Sequence, residues 1–183
     1  MRIGKKQLRS LILEEIALVI SPEAIGCAPE AAHTLSQDLA EWLGCLHATQ
    51  MWFHSAHLVV SGTSFAGDHG VLYSRIYSEL QESFDADLEK AIGVTQDEAL
   101  GCPLKLAELA LANLESFGSP CGMDAEAIAA AALGIARHHV AKVEALFEKL
   151  ESEGVLTLGL NDHLAAQANT FESYVYLLQQ RAQ

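Results

Sequence analysis

Basic residues and proline are scarce in this 183-residue chain, and both shortages limit what the protein can be. The sequence contains 11 Lys and Arg residues and 24 Asp and Glu residues, which gives a formal net charge of −13. A surface of that sign repels phosphate, so general nucleic-acid binding is not expected. Only four prolines occur, runs of β-branched residues are short, and Ala, Leu, Glu and Gln are frequent. The composition therefore predicts an all-α protein.

Closely spaced cysteines and a long apolar run are also missing. Cys27, Cys45, Cys102 and Cys121 lie far apart, so no zinc or redox motif is predicted, and we expect reduced thiols in a cytoplasmic protein. The apolar stretch after Arg9 is interrupted by two glutamates and is too short for a membrane span or a signal peptide. No membrane partner is therefore expected.

The first residues differ in charge from the rest of the chain. Residues 1–9 contain four basic residues and no acid, a local charge of +4, so the other 174 residues carry −17. Apolar spacing predicts an extra N-terminal helix near residues 5–19, followed by a linker rich in Pro and Gly. This segment is either an arm that contacts DNA, a partner or a shell, or a short helix docked on the surface. We expect a basic segment and linker over residues 1–34 and one helical domain over residues 35–183.

Four long helices and one short helix are predicted in that domain. Apolar residues recur mainly three and four positions apart, and the long helices are expected at about residues 35–60, 69–92, 124–153 and 161–181. Pro103 opens a short helix between the second and third long helices. The pattern predicts a ferritin-like four-helix bundle, whose long connection would be the crossover that contains the short helix.

Metal-ligating side chains flank the turn between the first two long helices. His57 and His69 bracket this turn, and Asp85 and Glu89 follow one helical turn apart on one face of the second helix. Imidazole nitrogen and carboxylate oxygen are ligand types that suit iron, manganese or zinc. These four side chains form a candidate metal site. The alternative is that both acids lie on the solvated shoulder of the helix.

The remaining helical histidines are weaker candidates. His47 and His54 share the first long helix with His57, and one or two of these three are possible ligands, whereas His47 alone is better assigned to structure. His138 and His139 are adjacent and point about 100° apart, so at most one of them faces the core. We assign both to structure or surface.

The turn resembles that of the Dps family of miniferritins (DNA-binding proteins from starved cells). The family pattern has a histidine, then glycine five residues later, phenylalanine eight later and histidine twelve later, matched here by His57, Gly62, Phe65 and His69. The acid element that follows in the family is matched by Asp85, Glu89 and Lys90. The segment opened by Pro103 is similar to the family's short crossover helix. The closing helix is also similar, with Tyr176 where Trp is usual, and the resemblance covers about residues 35–178.

The resemblance implies an iron-storing shell. Members form hollow homo-oligomers, usually dodecamers, and oxidise ferrous iron, preferentially with hydrogen peroxide, between two subunits. His57 and His69 would come from one subunit and Asp85 and Glu89 from its two-fold mate, with ferric iron stored inside. DNA binding is expected to be weak or absent because of the negative charge. The alternative is a non-catalytic Dps-like shell or interaction protein with a degenerate metal site. A di-metal enzyme within one bundle would need two ExxH ligand pairs, which the sequence lacks.

Two positions depart from the family pattern. Tyr73 stands where the family often has an acid, and the distance from Tyr73 to Asp85 is one residue longer than in the family. Pairing Asp85 and Glu89 with the family's acids therefore requires a one-residue insertion or bulge in the helix. Without it, Phe84 and Leu88 take the ligand positions and no ferroxidase centre forms.

Overall fold

Five helices follow one another along residues 35–183, the part of the chain that the computed structural model describes. They are α1 (Leu35–Val59), α2 (Ser74–Thr95), α3 (Pro103–Phe117), α4 (Ala125–Ser152) and α5 (Leu158–Arg181). A short α-helical turn and then a π-helical turn lead directly into α2, at Phe65–Gly67 and Asp68–Tyr73. These residues contain no β-strand, so the all-α prediction is confirmed for them. The predicted N-terminal helix and linker, residues 1–34, lie outside the described residues.

Helix α1 lies at the centre of the bundle. It packs against α2, α3 and α4, and α4 packs in turn against α5. Its large side chains are almost fully buried, among them Trp42, Trp52 and Phe53. Gly44 permits the close approach of α3, because a Cβ at this position would collide with Leu109. Long helices with a short one between the second and third thus surround a single apolar core.

Local capping chemistry decides where most helices begin. Pro103 begins α3, and Asp124 caps α4 by accepting a 2.8 Å hydrogen bond from the N–H three residues later. The opening of α3 by Pro103 was predicted, as was a helix that starts near residue 124. The predicted start of α5 near Asn161 is wrong, because the Thr157 hydroxyl caps the helix earlier. The predicted end of α2 before Gly93 is also wrong, since the helix continues to Thr95.

The Ala-rich first half of α4 forms the buried interface that its composition predicts. Ile128, Ala129, Ala132, Ile135 and Ala136 are all buried there. Small side chains let neighbouring helices approach closely, which is consistent with the packing of α4 on both α1 and α5. No helix in residues 35–183 is long and apolar enough to cross a membrane.

The cysteines match their expected state only in part. Cys45 is a buried free thiol, and burial raises its pKa to about 11, so it is protonated near neutral pH. Cys121 is free and exposed. Cys102 is disulfide-bonded, and the expectation of a reduced thiol is wrong at this position.

Polar side chains join α5 to α2 and to the π-helical turn before it. The contacts occur at three levels, Arg181 with Asp68, Tyr174 with Glu79, and His163 with Asp87. From one contact to the next, the residue number decreases in α5 while the number of its partner increases toward and along α2, so the two helices are antiparallel. We call this row of contacts the polar seam.

Candidate metal centre

The turn between α1 and α2 brings His57 and His69 together, as the sequence predicts. His57 lies in the last turn of α1, and His69 lies in the π-helical turn before α2. Between them Gly62 has a φ of 97°, in the left-handed region that favours glycine. The chain therefore reverses within a few residues, and the helical structure resumes at Phe65.

The two imidazoles are held by a reciprocal pair of hydrogen bonds. Nδ1 of His57 donates to the carbonyl oxygen of His69 at 2.8 Å, and Nδ1 of His69 donates to the carbonyl oxygen of His57 at 2.7 Å. The rings stack with centroids 3.8 Å apart and an interplanar angle of 16°. A carbonyl oxygen can only accept, so each Nδ1 carries a proton. In the neutral ring, Nε2 then keeps its lone pair, as it does in metal-ligating histidines.

Aromatic rings flank the histidine pair on both sides. Phe65 stacks on His69 with centroids 4.6 Å apart. Tyr77 of α2 contacts His57 at 5.2 Å and His54 at 4.6 Å between centroids. Phe65 is still 44% exposed, so it covers the histidine pair rather than filling the bundle interior.

Arg181 at the end of α5 binds the side chain of the residue before His69. Its Nε donates to both carboxylate oxygens of Asp68, at 2.9 and 3.0 Å, and its other nitrogens bind Ser64 and Glu126. Asp68 precedes the predicted start of this helix and is a residue type that favours the N-cap position, but it lies inside the continuous helix and its buried side chain binds Arg181. These partners raise the pKa of Arg181 further above its usual range.

Asp85 and Glu89 lie on the solvent-facing side of α2. Both are exposed, and neither makes a hydrogen bond or ion pair with residues 35–183. Phe84 and Leu88 are the residues that pack against the core. Within one chain the structure therefore joins the two histidines but does not add the acids to them. No group of three His, Cys, Asp or Glu in the described part is arranged to hold a metal ion.

The helix between His69 and Asp85 contains one extra residue relative to a regular α-helix. The turn Asp68–Tyr73 is π-helical, and a π-turn closes i→i+5 hydrogen bonds where an α-turn closes i→i+4. The resemblance requires an insertion or bulge of this size, although the turn begins before Tyr73 rather than after it. Tyr73 itself is fully buried, and burial raises the pKa of its hydroxyl, so it does not replace an acidic ligand.

A second polar cluster lies inside the bundle, and the sequence reasoning missed it. Asp87 is fully buried, contacts His163 and accepts a 3.3 Å hydrogen bond from the Gln167 amide. Gln167 in turn accepts a 3.0 Å hydrogen bond from the Trp42 indole. Spacing could have identified this cluster. Leu80, Phe84, Asp87 and Ala91 are four, three and four residues apart, which places Asp87 on the core side of α2.

His139 of α4 is the buried member of the adjacent histidine pair, and His138 is exposed, as the sequence predicts. The centroid of its ring lies 3.9 Å from that of Phe171, and neither ring nitrogen has a hydrogen-bond partner within residues 35–183. Burial lowers the pKa of His139 to about 3, an effect that nearby Gln167 partly offsets. His139 is therefore a neutral core residue near neutral pH.

Comparison with known proteins adds no family assignment. No protein-family model matches this sequence, and no curated protein matches it either. The Dps resemblance therefore depends only on the residues named above.

Proposed function

We propose that this chain is a Dps-like miniferritin, with a ferritin-like bundle, that oxidises ferrous iron at a site shared between two copies. Iron is the substrate, and the ferric product is stored inside a hollow homo-oligomer, which we propose to be a dodecamer. With hydrogen peroxide as oxidant, two ferrous ions give one electron each, and the peroxide takes up two protons to yield two water molecules. No hydroxyl radical is then released.

The histidine pair is the observation that carries this proposal. His57 and His69 hold each other through Nδ1, which leaves both Nε2 atoms for ligation. Neither Nε2 atom has a hydrogen-bond partner in residues 35–183, so both stay available to a metal ion. Imidazole nitrogen also suits ferrous iron.

The position of Asp85 and Glu89 fits a site between copies better than a site within one. Exposed carboxylates one helical turn apart can reach a second chain, where they would add the oxygen ligands that a ferric product favours. The π-helical turn at Asp68–Tyr73 adds one residue between His69 and Asp85, which supports pairing Asp85 and Glu89 with the family's acids. Phe84 and Leu88 pack against the core instead.

Exposed apolar residues next to the histidines support contact with a second copy. Leu58 is 66% exposed, Val71 68% and Met51 43%. Met51 and Leu58 are seven residues apart on α1 and therefore share one face, and apolar side chains that share an exposed face are typical of protein interfaces. A second copy that covers them would also exclude water from the iron site.

The charge of the chain fits attraction of cations and not of DNA. At −13 per chain, twelve copies would carry about −156, which attracts ferrous iron and repels phosphate. We therefore propose weak or absent DNA binding, with no role for the bundle surface in contacting DNA.

Anaerobic loading with ferrous iron followed by hydrogen peroxide tests the proposal. Wild-type protein should oxidise iron in a saturable reaction. His57→Ala and Asp85→Asn should each slow this reaction at least about tenfold, because loss of a residue that only supports a metal ligand already costs about tenfold or more. Glu148→Gln is the matched control, because it removes an exposed acid from α4 and should not change the rate.

Two results would contradict the proposal. Equal rates for wild type, His57→Ala and Asp85→Asn would exclude this iron site, and a monomer in light scattering would exclude a site shared between copies. A stable shell without iron oxidation would favour the alternative, a non-catalytic shell protein.

A further inference from the structure

A third imidazole lies beside the histidine pair and has no role in the proposed iron site. His54 is exposed on α1, one turn before His57 and on the same face. The two ring centroids are 6.4 Å apart, with an interplanar angle of 31°. No hydrogen bond or ion pair joins the His54 side chain to residues 35–183.

Tyr77 holds His54 and His57 in this arrangement. Its ring lies 4.6 Å from the His54 centroid and 5.2 Å from the His57 centroid, so it packs against both imidazoles. Rings that are already restrained lose less conformational entropy when they bind a ligand.

The His54 and His57 rings lie farther apart than the stacked rings of His57 and His69, which leaves room for an ion between them. Two imidazoles that share one tetrahedral ion have centroids about 5 Å apart, given metal–nitrogen bonds of about 2.0 to 2.1 Å. The 6.4 Å separation of His54 and His57 exceeds this value by about 1.4 Å. Because His57 is held through Nδ1, the exposed His54 ring is the one that would rotate to bind the ion.

We propose that His54 and His57 form a second divalent-metal site, which takes Zn²⁺ or Co²⁺. Two nitrogen donors with water as the remaining ligands suit these ions. The inference rests on the proposed function in one respect, because His57 belongs to both sites. A Zn²⁺ ion held here occupies the Nε2 of His57 and therefore inhibits iron oxidation.

Binding of Co²⁺ to the untagged full chain, measured by calorimetry and by visible absorption, tests the site directly. His54→Ala should weaken Co²⁺ binding at least about tenfold, because loss of a direct ligand costs no less than loss of a second-sphere partner. His138→Ala is the matched control, since it removes an exposed histidine from α4. Unchanged Co²⁺ affinity in His54→Ala would overturn the proposal.

Inhibition by Zn²⁺ separates this inference from the proposed function. For the wild type and each variant, the rate of iron oxidation with Zn²⁺ is divided by the rate without Zn²⁺. Half-inhibition of His54→Ala should need at least about tenfold more Zn²⁺ than half-inhibition of the wild type. If His57→Ala and His69→Ala slow iron oxidation while His54→Ala leaves Co²⁺ binding unchanged, the inference fails and the proposed function stands. If His54→Ala weakens Co²⁺ binding but no histidine variant changes the rate of iron oxidation, the second metal site stands and the proposed function fails.

Discussion

Replacing His139 by leucine should make the protein more resistant to acid. His139 is fully buried against Phe171, and in the described part of the chain neither of its ring nitrogens has a hydrogen-bond partner. In the unfolded chain its imidazole binds a proton near pH 6.5, whereas burial lowers the folded pKa to about 3. Because the unfolded state binds more protons in this window, stability is lost as pH falls from 6.5 toward 3. Leucine cannot be protonated and removes this loss.

The size of the effect follows from the two pKa values. Each pH unit between them removes about 1.4 kcal/mol from the free energy of unfolding. Between pH 7.5 and pH 4 the wild type should therefore lose about 3 kcal/mol through His139 alone. At neutral pH the variant should already be as stable as the wild type or more so, because a buried polar group without a partner costs about 1 to 3 kcal/mol.

Urea unfolding followed by circular dichroism at several pH values measures this difference. The free energy of unfolding of His139→Leu minus that of the wild type should increase by about 3 kcal/mol between pH 7.5 and pH 4. Protein concentration must be held constant, because the stability of an oligomer depends on it. His138→Leu is the control, and its smaller effect follows from partial burial and Lys142, which lower the pKa of His138.

Parallel pH curves for wild type and His139→Leu would refute this reasoning. Such curves would mean that the folded protein accepts a proton on His139 near its ordinary pKa, so that the ring reaches water or an acidic partner. A hydrogen bond donated by the protonated His139 ring to the Gln167 amide oxygen is the nearest route to that outcome.

Two further predictions concern the turn that carries the histidines. Arg181→Leu leaves the Asp68 carboxylate buried without its cation, so urea unfolding should show a loss of about 3 to 5 kcal/mol, and Arg181→Lys a smaller one. A parent-like unfolding curve for Arg181→Leu would contradict this. Deletion of Gly70 should convert the π-helical turn to an α-helical one and rotate Asp85 by about 100° relative to His69. Iron oxidation should then be lost with helix content kept, whereas Gly70→Ala, which meets no neighbour, should retain both.

The helices were predictable because their signals are local. The spacing of apolar side chains by three and four residues indicates where a helix runs. Helix starts are set by single residues within a few positions of the start, as at Pro103 and Asp124. The predicted end of α2 at Gly93 was wrong because a different residue, Gln96, adopts the left-handed conformation that ends the helix. Gln96 adopts the left-handed conformation with a φ of 57°, and its side-chain amide donates to the Gly93 carbonyl at 2.7 Å. That contact places the cap three residues beyond Gly93.

The candidate site was only partly predictable from sequence. Spacing placed His57 beside His69, but the reciprocal hydrogen bonds that set their tautomers depend on backbone positions across the turn. The π-helical turn differs from an α-helical turn by one residue, and no residue type in Asp68–Tyr73 distinguishes the two. Asp87 was missed because an acid at a core position looks like surface charge until its partners on α5 are known.

The polar seam prevents α5 from sliding along its neighbour. A shift of one helical turn, about 5.4 Å, would separate all three contacts at once, and it would strand the carboxylates of Asp68 and Asp87 in the interior. An interface of interchangeable apolar side chains tolerates such a shift at far lower cost. Arg181 is the last residue of α5, and it also binds the side chain of Asp68, the neighbour of His69. Trimming or fraying of the final helical turn would therefore disturb the proposed metal site, which lies more than a hundred residues away in sequence.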